Sequence, residues 1–436
     1  MIQYLFTKTP LFFFIQSFWR DEAFSYLLAK KSIGEIIALT AKDFNPPLYY
    51  FCLHFWIKIF GHSEIALRSL SLIFFWATIY LVYLFLTDIL KFSSKKSFFY
   101  LIFFIINPIL SYYAFETRMY SMFAFFATLS FFSFYKKNQR LYLISTTLGL
   151  FTHYFMLFVV LTQIVFVLSF FKKGKDRLIL LKNSLLTLFF FVPWTIFVVG
   201  QRGFHSEPFW IEKIDFQSLI NLLGIVYTGY EKSFRFYDDS ISRLSYVMIF
   251  LLILALFVRK RVNQRQKRLI TYLLLWAVFP LALAFSISIF KPLLLPRYLI
   301  FSMIGFLILT VFVLEQIQIF PRILILIILF LITVHYQKLE IKNRRKADLR
   351  SKIREINLLA KKGDYLYVTS ELDFHTAQYY FGEDRVFLYG KSYENIPNFV
   401  GKVIIPKAKV INVLPKYPQK AFILNENGTY DIQAMF

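Results

Sequence analysis

The chain has 436 residues, 58% of them hydrophobic and 17% charged, with mean hydropathy +0.55, far too little charge for an ordinary soluble protein of this length. Its net charge of +24 sits in short basic clusters between apolar runs, the pattern of cytoplasmic loops rather than of a nucleic-acid-binding face. The single cysteine, Cys52, excludes an intrachain disulfide and a cysteine-based metal cluster.

The first apolar run, 4–18, carries Lys8 and Pro10 and lacks a small-residue cleavage site. It is therefore read as an uncleaved first helix. It leads into Trp19-Arg20-Asp21-Glu22-Ala23-Phe24-Ser25. Charge is costly in hydrocarbon, so adjacent carboxylates at a membrane edge are functional candidates; the bland alternative is a solvated helix start. The stretch 23–39 reads as amphipathic and suited to the interface. In Asp43-Phe44-Asn45-Pro46-Pro47-Leu48-Tyr49-Tyr50 the prolines end one helix and begin another, with Asn45 as the expected N-cap. The aromatic helix 48–60 should stop at Gly61.

Spans are predicted at 65–87, 97–113 and 117–135. Between the last two lies Tyr112-Tyr113-Ala114-Phe115-Glu116-Thr117-Arg118-Met119-Tyr120. Glu116 there reads either as an interfacial ion beside a snorkelling arginine, or as part of an acidic site with Arg118 as a phosphate ligand. The run 141–171 is too long for one span and is expected to turn at His153-Tyr154. Without a second histidine at ligand spacing, His153 does not suggest zinc. Further spans at 178–200, 244–258, 269–289, 298–315 and 322–337 bring the expectation to about eleven helices. In Lys291-Pro292-Leu293-Leu294-Leu295-Pro296-Arg297-Tyr298, Arg297 is either a helix-end anchor or a phosphate contact. The tail, 339–436, should form a small α/β domain: a helical stripe from Leu349 to Ala360, then strands near 365–368, 385–389, 400–405, 421–424 and 429–432.

Basic residues fix the expected sidedness. Lys91/Lys95/Lys96, Lys136/Lys137/Arg140, Lys172/Lys173/Lys175/Arg177 and Arg259–Arg268 fall in alternate loops, which should be cytoplasmic. The opposite loops hold most acids, among them Asp21, Glu22, Asp43, Glu64, Glu116, Glu207, Glu231, Asp238 and Asp239. The amino terminus is then inside, with the acidic loops and the tail outside. Arg344-Arg345-Lys346 weighs against the placement of the tail.

Taken in this order, Trp19–Ser25, Asp43–Tyr50, Phe60-Gly61-His62-Ser63-Glu64 with Arg68-Ser69-Leu70-Ser71, Tyr112–Ser121, His153-Tyr154-Phe155 and Pro296-Arg297-Tyr298 carry a family resemblance. The chain resembles the family 39-like polytopic glycosyltransferases of the GT-C superfamily, relatives of protein O-mannosyltransferases and of the lipid A aminoarabinose transferase. The resemblance is densest over 19–160. It implies a mainly α membrane fold, 1–338, with a catalytic first outer loop at 19–64, followed by an extracytoplasmic α/β domain, 339–436. The first helix is shorter than usual for that family, which implies a truncated start.

What the resemblance further implies is a hexosyl- or pentosyltransferase moving a sugar from a polyprenyl-phosphate donor to a hydroxyl of a glycan, lipid or protein, with inversion, at the outer leaflet. In a bacterium this is the plasma membrane. Asp21 is then the base, with Glu22 positioning it. Asp43 and Glu116 bind acceptor or a divalent cation, Mg²⁺ or Mn²⁺, whose need stays open. Arg118, Arg297 and Arg68 hold the donor phosphate. Glu64, His153, Tyr154 and Tyr298 form a second tier. The alternatives are a transporter or flippase of lipid-linked glycans, which should carry charges deep in several spans, a scaffold with an adhesive tail, and an oligosaccharyltransferase using a pyrophosphate donor.

Overall fold

The computed structural model describes residues 2–171, 174–202, 211–231 and 238–435. Lys172, Lys173 and Glu207 lie outside the described residues, as do the side chains of Asp238 and Asp239. Long apolar runs become helices because a helix satisfies its backbone N–H and C=O groups within the segment, as hydrocarbon requires. Among the described residues, six helices are long and apolar enough to cross a membrane: Glu64–Ile89, Lys175–Gln201, Ser240–Arg261, Gln264–Ser288, Pro296–Leu314 and Ile319–Asn343. Leu48–Phe60, Tyr120–Tyr135, Met156–Phe170 and Phe216–Thr228 are shorter apolar helices. Against the expectation of about eleven spans, the described residues show these six full-length and four shorter apolar helices.

The expected span 97–113 is broken after Ile105, where Asn107 caps a new helix, Pro108–Tyr113, by accepting from the Leu110 N–H at 3.3 Å. Pro108, in the first turn, has no N–H to continue the preceding ladder. The run 141–171 divides as expected, into Gln139–Thr152 and Met156–Phe170, with His153 in extended conformation as the C-cap.

Contacts divide the chain into two compact units. The first comprises Met1–Leu11, Ser71–Phe115 and Met119–Arg344. The most enclosed of its long helices, Pro296–Leu314, packs on Gln264–Ser288 where Gly305 faces Trp276. A Cβ at Gly305 would lie 2.6 Å from the indole, so only glycine allows that approach. Polar side chains inside this unit satisfy one another: Gln163 donates to Ser130 at 2.9 Å, and Tyr142 to Gln163 at 3.0 Å. The helix Ile319–Asn343 instead leaves Ile323, Leu324, Ile327 and Leu331 exposed, a face suited to lipid.

The second unit comprises Phe12–Leu70, Glu116–Arg118 and Arg345–Phe436. Its sheet has strands β1 (Tyr365–Val368), β2 (Val386–Tyr389), β3 (Val410–Ile411), β4 (Ala421–Leu424) and β5 (Tyr430–Gln433), in the order β3-β2-β1-β4-β5. All neighbours are parallel except β4 and β5. Ile353 and Ile356 of the helix Leu349–Leu359, with Phe374 and Phe381 of Phe374–Phe381, cover Leu366, Val368 and Leu388.

Three local expectations in this unit are corrected. Residues 400–405 form 3₁₀ turns about a left-handed Gly401 instead of a strand, and the edge strand is β3. The stretch 23–39 is two helices, Arg20–Ala29 and Ile33–Lys42; Ala23 to Ala29 of the first are all buried, and the second starts at a Ser32–Glu35 capping box. The helix Leu48–Phe60 is preceded by Pro47 without a side-chain cap, so Asn45 does not cap it.

Candidate functional site

The acid pair occupies the first turn of the helix Arg20–Ala29, and its two members have different surroundings. Glu22 is fully enclosed, and so is Arg68, from the start of the helix Glu64–Leu84. Arg68 donates through Nε and Nη2 to the two Glu22 oxygens, both at 2.8 Å. Its remaining N–H groups go to the carbonyls of Phe14 at 3.0 Å, Gln16 at 2.7 Å and Ser17 at 3.3 Å. All five guanidinium donors are used. Arg68, expected as a donor-phosphate ligand, has its fork on a carboxylate and ties down the end of the first segment.

Lys346 reaches the same carboxylate at 2.8 Å, and the backbone N–H of Thr117 donates to it at 3.0 Å. Burial alone would push the Glu22 carboxyl up. The Arg68 and Lys346 charges and hydrogen bonds outweigh it and bring it down to about 2. Burial, with Arg68 beside it, lowers the Lys346 ammonium in turn, against the pull of Glu22 and Glu116.

Asp21 keeps 15% of its side chain exposed. Arg20 donates to it at 2.9 Å, and Arg118 Nη2 lies 4.0 Å away. Arg118 also donates to the Asp21 carbonyl at 3.4 Å and to Ser25 at 3.3 Å. The spacing of Glu116-Thr117-Arg118 now has a physical basis. The middle residue is pinned to Glu22 through its N–H, and a tight turn, Arg118 N–H to Glu116 carbonyl at 2.7 Å, sets the flanking residues. Glu116 is buried, and Asp43, the C-cap of the helix Ile33–Lys42, is nearly so. Glu64 is bound by Arg350 at 2.6 Å and by Tyr380, whose Oη also accepts the Phe18 N–H at 2.7 Å.

The remaining candidates belong to the first unit. Arg297 donates to both oxygens of Glu231, at 2.9 and 3.1 Å, and stands 5.8 Å from the ring centres of Tyr120 and Tyr298. His153 lies among aromatic rings, Phe123 at 4.8 Å and Tyr298 at 4.9 Å, and its Nδ1 accepts the Phe155 N–H. Tyr154 accepts from Trp194 at 3.3 Å. Among the described residues no group of three or more His, Cys, Asp and Glu side chains is placed to hold a metal ion.

Sequence reasoning missed Lys346 and Arg344, read there as a topological signal, and gave Glu231 no partner. Arg344 is spent on Glu340 at 3.4 Å, on Tyr113 at 3.2 Å and on the face of Tyr112 at 3.6 Å. Lys346 is spent on Glu22. Buried and paired, these cations are no guide to the side of a loop.

No protein-family model matches the sequence, and no curated protein matches it at a significant level. Solved structures do resemble it. The crystal structure of ArnT from Cupriavidus metallidurans in the apo state aligns with a TM-score of 0.65 over 95% of this chain and 90% of that one, at 12% identity. The chain shares the fold of ArnT. The structure of ArnT bound to undecaprenyl phosphate aligns with a TM-score of 0.62 over 95% of this chain and 91% of that one, at 13% identity. The likeness to ArnT agrees with a mainly helical, membrane-embedded protein bearing a small C-terminal sheet.

Proposed function

We propose that the chain is a membrane glycosyltransferase that moves a hexosyl or pentosyl group from a polyprenyl-phosphate-linked donor to an acceptor hydroxyl. The observation that carries this reading is the asymmetry of the acid pair on an ArnT fold. Glu22 is enclosed and neutralised, while Asp21, one residue away, stays partly open beside Arg118. A reactive carboxylate next to a rigid internal ion pair is what a positioned base requires. In the proposed reaction the acceptor O–H proton passes to Asp21. The acceptor oxygen forms a bond to the anomeric carbon from one face. The bond to the phosphate oxygen breaks on the other, its electron pair leaving with the lipid phosphate, so the centre inverts. Arg118 and Arg297 are assigned to that phosphate, because guanidinium donates to phosphate oxygens in pairs. Glu116 and Asp43 are assigned to the acceptor. The undecaprenyl phosphate bound by ArnT supports a lipid phosphate as the ligand here. The reaction is assigned to the extracytoplasmic face of the plasma membrane, with the amino terminus inside.

The test is turnover by the purified chain in liposomes, with a panel of polyprenyl-phosphate sugars and release of polyprenyl phosphate as the signal. Release by the wild type and none by Asp21→Asn is the expected result. Turnover retained in Asp21→Asn removes Asp21 from the base role. Lipid translocation without covalent transfer points to the flippase alternative.

A further inference from the structure

Arg297 is 6% exposed and its Nη1 donates to both oxygens of Glu231, an anion held at a buried guanidinium where a phosphate oxygen would be accepted. A second cation bears on that carboxylate. Tyr113 donates to Glu231 at 3.4 Å, and Arg344 donates to the Tyr113 oxygen at 3.2 Å. Glu231 follows the helix Phe216–Thr228, which ends in the left-handed Gly229, so no helical ladder holds it on Arg297. It also lines a cavity of about 250 Å³ whose other walls include Ile211, Ile225, Leu294, Leu295 and Pro296. A mainly apolar cavity, with Glu212, Lys213 and Ser218 also in its walls, meeting an arginine-held anion fits the phosphate end of an isoprenoid chain.

We infer that Glu231 is a displaceable counter-ion: it occupies Arg297 in the empty enzyme and yields it to the lipid phosphate. The inference rests on the proposed lipid-phosphate donor. It also carries a kinetic role. The donor is a phosphodiester with one negative charge, whereas the product, polyprenyl phosphate, is a monoester that carries more. A bare cationic site would hold product more tightly than donor. A carboxylate that recaptures Arg297 lowers the affinity for both and speeds release of the product.

The experiment measures undecaprenyl phosphate binding to the full-length purified chain in detergent. If Glu231 closes on Arg297 about nine-tenths of the time, its removal raises apparent affinity about tenfold. Glu231→Gln should therefore bind the lipid about three- to tenfold more tightly. Arg297→Ala should bind it more weakly, and adding Glu231→Gln to Arg297→Ala should change nothing further. Glu231→Asp, which keeps the charge and draws it back by one methylene, should show a smaller gain in the same direction, and serves if Glu231→Gln fails to fold. Unchanged or weaker binding by both Glu231 variants, with Arg297→Ala still impaired, makes Glu231 a structural brace and overturns the inference alone. Unchanged binding by Arg297→Ala overturns the phosphate assignment of Arg297 and the inference with it.

Discussion

At the residue scale, two adjacent carboxylates have different surroundings, and mutation should separate their proposed roles. In the proposed base role, Asp21→Asn removes a proton acceptor from a partly open position, so it should lower the turnover number about 10²–10⁴-fold while leaving the unfolding temperature in place. Lys346→Met should do something different. It strips a cation from a buried carboxylate, a change that costs about 3 kcal/mol when the remaining charge cannot reach water. Thermal unfolding in detergent should show a clear fall for Lys346→Met and none for Asp21→Asn. The candidate acids were legible because charge in an apolar chain stands out. Their partners were not. Lys346 lies 324 residues from Glu22, and no local pattern links a lysine in a basic cluster to an acid in the first loop. Arg68 was legible as a cation but not as a saturated one, since donor saturation depends on three carbonyls that only the fold brings together.

At the element scale, the irregular segments were harder to read than the helices. Proline and asparagine signals at Asn107-Pro108 were present in the sequence, but the apolar run around them favoured a single span. Residues 400–405 have strand-like composition, yet Gly401 sits at φ +85 with a would-be Cβ 2.5 Å from Phe24 and 2.8 Å from His375. That close approach is tertiary and leaves no periodic trace. It also buries His375, whose ring is pushed down to about 4 by burial, against its hydrogen bonds to the Gln378 side-chain oxygen and the Gly401 carbonyl. The sign follows from linkage. An unfolded histidine takes a proton near its ordinary value of 6.5, whereas the folded one resists until about 4. The stability it contributes is complete above pH 6.5 and is lost as pH falls through 4. Denaturant unfolding followed from pH 7 to 4 should decline for the wild type and decline less for His375→Gln. Glu22 acts lower, its contribution fading as pH falls from 4.5 through about 2.

At the scale of the whole molecule, a mainly helical membrane protein with a C-terminal sheet was readable from hydropathy and the tail's strand pattern. The number of full-length spans was not, because run length alone does not reveal where a helix breaks. Sidedness can be tested directly. In a Cys52→Ser background, Glu394→Cys, at an exposed position in the tail, should react with a membrane-impermeant maleimide added to intact cells. Labelling only after lysis would place the tail inside. The composition of the second unit, with residues 12–70, 116–118 and 345–436 in one compact body, also bears on biosynthesis. At about 5–20 residues per second, the ribosome delivers Lys346 some 15–60 s after Glu22 has left it. During that interval the nascent chain holds a carboxylate whose second cation does not yet exist. A truncated chain ending before Lys346 keeps that carboxylate without its second cation.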